Sequence, residues 1–163
     1  MADRPVIILR GNAQDKIRSG DRLVDGDGTP FAQGGKRLIG FATNGAVSTG
    51  DVAPWSGPML IEADITEVSA CVKTASTTTA VQIDILISNN NGLTWTTIFT
   101  TKLTVDANER TDDTAAIPAV IDTTKNEVSS RSMLRINIDA AGTAEDLTVQ
   151  LLLSDTVASS SST

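Results

Sequence analysis

The chain has 163 residues and a formal net charge of −7, with no His, no Tyr, one Cys and five aromatic residues, Phe31, Phe41, Trp55, Trp95 and Phe99. Without imidazole there is no Ser-His-Asp or Cys-His nucleophile and no His-ligated metal, and Cys71 alone makes neither a thiolate zinc site nor an internal disulfide. The length suits one domain able to bury about 68–70% of its unfolded surface, and the acidic balance opposes nucleic acid binding, which needs concentrated Lys and Arg to displace counterions.

The opening Met1-Ala2-Asp3-Arg4-Pro5 has no apolar core of a signal peptide, and no run reaches the roughly 18 apolar residues of a membrane span. A soluble chain made without secretion, with no membrane partner, is therefore expected. Val, Ile and Thr account for 48 residues. Their branched side chains fit a pleated, half-buried surface, so the composition leans to β structure with a core of small aliphatic groups.

Charge is unevenly placed. Residues 1–50 carry seven basic and five acidic groups, a balance of +2, while residues 51–163 carry six basic and fifteen acidic groups, a balance of −9. Residues 1–58 hold most of the glycines and four of the five prolines, with little sustained periodicity. They read as an extended basic arm with short strands at Pro5–Arg10 and Arg37–Ala42. Its candidate partner-binding residues are Arg4, Ile7, Ile8, Leu9, Arg10, Lys16, Arg18, Arg22, Lys36 and Arg37, with Leu38 and Ile39 also available to bury against a partner. Asp21, Asp25 and Asp27 lack the later glutamate of a calcium loop and read as Asx turns. Gly34-Gly35-Lys36 lacks the spacing of a phosphate loop. No metal and no cofactor are expected.

From Met59 the pattern turns to alternation, which predicts a β-sandwich domain over 59–155. Ile61, Ala63 and Ile65 share one parity, whereas Val68, Ala70 and Val72 take the other. A bulge or corner near Thr66 and Glu67 has to restore the face, and Cys71 then points away from the core. Val81, Ile83, Ile85 and Ile87 alternate with Gln82, Asp84, Leu86 and Ser88 in the clearest strand of the chain. The turn Asn89-Asn90-Asn91-Gly92 favours positive φ and leads to a second hairpin strand over Thr94–Thr101. Further strands are expected at Lys102–Asp106, Ala115–Ile121, Met133–Asp139 and Leu147–Leu153, without helical period, in an antiparallel sandwich or barrel. Leu86 and Leu152 fall on otherwise polar faces. They are either isolated exposed leucines or subunit contacts. Residues 156–163 form a Ser-rich tail, expected to be mobile unless a partner fixes it.

Several segments together carry a resemblance: Ile65-Thr66-Glu67-Val68-Ser69-Ala70, Val81-Gln82-Ile83-Asp84-Ile85, Asn91-Gly92 with Thr97-Ile98-Phe99, Leu103-Thr104-Val105-Asp106-Ala107, Leu134-Arg135-Ile136-Asn137-Ile138 and Leu147-Thr148-Val149-Gln150-Leu151. The pattern resembles the small β-sandwich proteins of tailed-bacteriophage virions, although the Ser88–Trp95 turn is longer than in that class and the arm has no counterpart there. The resemblance implies an all-β, jelly-roll-like module acting as a capsid decoration or cement protein on the virion surface, made in the host cytoplasm. The partners it implies are the major capsid protein and the chain itself, as a homotrimer. An alternative is a tail fibre or baseplate component, for which Trp95 is the candidate glycan contact. An enzyme reading would need two strand carboxylates in concert, from among Glu62, Asp64, Asp84 and Asp139. Those positions read as solvated, so no catalytic residue is assigned.

Overall fold

The computed structural model describes residues 35–52 and 57–155. The expected strand at Pro5–Arg10, the candidate residues from Arg4 to Arg22, the acidic turn residues, Trp55 and the Ser-rich tail lie outside these residues.

The regular structure of the described residues is nearly all strand: β1 (Lys36–Ala42), β2 (Gly50–Val52), β3 (Ala63–Thr74), β4 (Val81–Ser88), β5 (Thr96–Thr97), β6 (Phe99–Thr101), β7 (Leu103–Val105), β8 (Val120–Ile121), β9 (Glu127–Val128), β10 (Met133–Ala140) and β11 (Glu145–Asp155), with one 3-10 turn at Asp112–Thr114. One sheet has the order β1-β11-β3-β9. A second has the order β2-β10-β4-β5, with β7 also pairing β4, and β6 and β8 form a small ribbon. All named pairings are antiparallel.

With the ribbon set aside and β5 and β7 counted as one interrupted strand, the first sheet runs first, eighth, third, sixth, and the other runs second, seventh, fourth, fifth. That interleaving is the double Greek key of a jelly roll. The fold is an all-β antiparallel sandwich, as the alternation and composition predicted.

One core lies between the sheets. Ile65, Ala70, Val72, Leu147, Val149, Leu151 and Leu153 of one inner face meet Val81, Ile83, Ile85, Ile87, Leu134, Ile136 and Ile138 of the other, all buried. The expected parity slip is real. Leu152 pairs with Glu67 but Leu153 pairs with Ile65, which leaves Thr66 as an extra residue, its hydroxyl donating to the Leu152 carbonyl at 3.2 Å. This bulge lets Ile65 and Ala70 both face inward despite their odd spacing. Positive φ at Asn91 (58°) and Gly92 (81°) forms the turn after β4.

Three expectations change. The sandwich does not begin at residue 59, because β1 pairs with β11 along its whole length and β2 pairs with β10. Lys36 and Arg37 are thus sheet residues, and Ile39 and Phe41 pack on the core. The Thr94–Thr101 strand is split at buried Ile98. Its N–H donates to Ile85 O (3.0 Å) while its carbonyl accepts from Asp122 N (2.7 Å), so the chain passes from β4 to a new partner. Of Ala115–Ile121 only Val120–Ile121 pairs, with β6. Pro118 sits in that run without an N–H to give a ladder.

Candidate functional site

The two sheets present different outer faces. On the five-stranded sheet the alternation turns Asp84 outward, yet it is only 6% exposed. Lys102, just before β7, covers it with Nζ 2.9 Å from Asp84 Oδ2 and 2.5 Å from Asp139 Oδ2. The Thr97 hydroxyl donates to Asp84 Oδ1 at 2.5 Å, and Asn137, opposite Asp84 in register, donates to Asp139 Oδ1 at 2.6 Å. The hydrogen bond to Asp139, then that to Asp84, holds the Lys102 ammonium above its ordinary pKa. A buried carboxylate needs such partners, since an unpaired charge inside the fold is costly. Of the four strand carboxylates, Asp84 and Asp139 are brought together, but with a lysine between them. Glu62 falls just before β3 rather than on a strand, and Asp64 lies on β3 of the other sheet, where it pairs with Glu127.

Further along this face Arg135 Nη1 lies 3.0 Å from Asp51 Oδ2, and its guanidinium sits 4.4 Å over the Trp95 ring centroid. The Trp95 indole N–H donates to Gly92 O at 3.0 Å. One face of the candidate glycan contact is thus covered by a cation, and its polar atom fastens the preceding turn. Leu86 is half-buried and pairs with Arg135 and Thr97. The Asn-rich turn bonds mainly to itself: Asn90 Oδ1 accepts from Ser88 Oγ and Thr94 N, both at 2.9 Å. Beside it lies a polar cleft of about 390 Å³ lined by Asn89, Asn90, Thr94, Thr124, Lys125 and Glu127 among others. There Lys125 binds Asp122 at 2.8 Å, and that bond, with those from Thr124, lowers the Asp122 carboxyl to about 2.

The outer face of the four-stranded sheet is less committed. Leu38 of β1, 64% exposed, lies opposite half-buried Leu152 of β11. With Glu67, Val68, Ser69 and Gln150 they line a shallow depression of about 120 Å³. Glu67 and Val68 also border a larger groove of about 550 Å³, walled by Thr66, Asp112 and Asp113 and by the segment Pro118–Ile121. Asp112 anchors one end, its Oδ1 accepting from Ser69 Oγ (2.9 Å) and Ala70 N (2.8 Å).

No family model matches the chain, and no curated protein or solved structure matches it.

Of the sequence-predicted contact residues, Leu152 lies on this apolar band, Leu86 lies on the opposite sheet, and Lys36 and Arg37 lie on β1, where Arg37 Nη2 is 3.4 Å from Asp155 Oδ2. Cys71 is exposed, as its parity predicted. Among the described residues no group of three or more Cys, Asp and Glu side chains is placed to hold a metal ion. Sequence reasoning missed the large groove, because Ala115–Ile121 reads as a strand. Pro118, which denies that run a ladder, was the available signal.

Proposed function

We propose that this chain is a non-enzymatic structural protein of a bacteriophage virion, binding the outer capsid surface as a decoration or cement protein and self-associating as a homotrimer. The observation that carries this reading is the contrast between the outer faces. Polar groups on the five-stranded sheet are largely spent on one another, whereas the four-stranded sheet offers Leu38 and Leu152 beside a groove rimmed by carboxylates. Apolar groups displayed together on an otherwise polar surface favour a protein partner over a small substrate. The strand pattern shared with virion β-sandwich proteins, and the basic balance of residues 1–50 against the acidic remainder, favour the same class. The jelly roll is compatible with it, though the fold hosts many functions.

The test is to add the purified chain to shells that lack it and to count bound copies. Saturable binding in proportion to the major capsid protein is expected; binding confined to the tail, at a small fixed copy number, would refute the reading. Removing residues 1–33 is expected to abolish shell binding while the β-sheet circular dichroism persists. The truncation has to stop before Lys36, since β1 is part of the sheet.

A further inference from the structure

The four-stranded sheet ends in two edges of opposite character. We infer that they join: β1 of one copy docks at the open stretch of β3 in another, so that copies associate head to tail through a continuous sheet. The inference deepens the self-association in the reading above by naming its surfaces.

Backbone geometry comes first. Thr43 N–H donates to Leu147 O and Asp155 N–H to Gly35 O, so the odd-numbered positions around β1 face β11. By the alternation of an antiparallel ladder, Lys36, Leu38, Gly40 and Ala42 turn their N–H and C=O outward. Among the described residues β1 is the last strand of its sheet. Among the described residues nothing lies within 4 Å of a Cβ built on Gly40.

At the other side, Ala70 N–H donates to Asp112 Oδ1 and Val72 N–H to Arg110 O, both away from β11. Ile65 N–H likewise donates to Asn126 O. Val68 has the same parity as Ala70 and Val72, so its backbone groups point into the groove, between β9 and the Asp112–Thr114 turn. β3 therefore has paired stretches at both ends and an opening in the middle, where a strand can be received.

Side chains complement one another. β1 brings the Lys36 ammonium and the apolar Leu38, 64% exposed, on its outer face. The groove brings the carboxylates of Glu67 and Asp113 at its rim, while Val68, Ala119 and Ile121 line it and pack inward on the core. Val120, 48% exposed, adds apolar surface at the rim. Docking covers the edge of β1 that no described strand pairs, together with Leu38, as a covered edge is protected from uncontrolled pairing. Because two different surfaces meet, the contact is heterologous and builds rings or filaments rather than a two-fold dimer.

The test uses the full-length chain without shells, so it is read independently of capsid binding. Sedimentation analysis is expected to find assemblies larger than a dimer, with slow hydrogen exchange at the amides of Leu38, Gly40 and Val68. Leu38→Asp, at an exposed position, is expected to give a folded monomer. Lys36→Glu and Glu67→Lys are each expected to weaken association at least tenfold, and their combination in one chain to recover most of it. A wild-type monomer at high micromolar concentration overturns the inference. So does a dimer that protects the β1 amides but not Val68, which would mean β1 pairing with β1, or a double variant that recovers nothing.

Discussion

The outer faces of the two sheets illustrate two ways to treat polar and apolar groups on a sandwich. On the five-stranded sheet Asp84, Lys102, Asp139, Thr97 and Asn137 form a connected network, and Arg135 bridges Asp51 and Trp95. On the four-stranded sheet the central outer groups are Leu38 and Leu152, with an acidic groove alongside. The first face is finished within the monomer and contributes to its stability. The second leaves hydrogen-bonding and apolar capacity unused, so its value appears only when something binds.

The sharpest way to break this contrast is to disturb the finished face. Asp84→Ala takes away the acceptor of the Thr97 hydroxyl proton and removes one of the two carboxylates around Lys102. Because Asp139 remains and Lys102 is partly solvated, a loss of about 2–3 kcal/mol is expected, measurable as a lower urea midpoint. Thr97→Val removes the hydroxyl that donates to Asp84 and accepts from Phe99 N–H, and is expected to cost about 1–2 kcal/mol in the same measurement. By contrast Leu38→Lys, on the unfinished face, should stay within about 0.5 kcal/mol of the parent in the monomer. A large loss there would mean that Leu38 belongs to the fold rather than to an interface.

The network also predicts a pH response. Lys102 has a folded pKa above its ordinary value of 10.5, so its contribution is complete below that pH and is lost as the pH rises through the folded value. Alkaline melting curves should show this loss, and Lys102→Met should reduce the slope above pH 10.5. At the acid end Asp122, lowered from 3.8 to about 2, favours the folded state above its unfolded value and loses that effect between those pH values. The Asp122 carboxylate is bonded within its own turn, to Thr124 and Lys125, so Asp122→Asn should alter the acid limb only slightly.

Strands with strict alternation were legible from sequence. Val81–Ser88 and Leu147–Leu153 appear with their inward residues as expected, the Met133–Asp139 run appears as a strand, and opposing parities located the Thr66 bulge. Alternation reveals which side a residue takes but not what covers that side. Asp84 therefore reads as solvated, although Lys102 and Thr97 enclose it. For the same reason the short strands β1 and β2 read as part of an arm: their partners β11 and β10 lie about a hundred residues away in sequence, a distance over which local pattern carries no information. The groove beside β3 depends on a loop held by Asp112 contacts, which no spacing rule encodes.

The position of β11 has a kinetic consequence. It lies between β1 and β3, so the four-stranded sheet lacks its centre until residues 145–155 have been synthesised. Before then the β1 and β3 segments have no shared neighbour, and the inward leucines of β11 have yet to join the core. Folding of this body is therefore expected to wait for its last strand, with the slow, non-local closure typical of β topologies. A chain halted on the ribosome before residue 145 should remain protease-sensitive, and one extended past residue 155 by enough linker to clear the exit tunnel should become resistant.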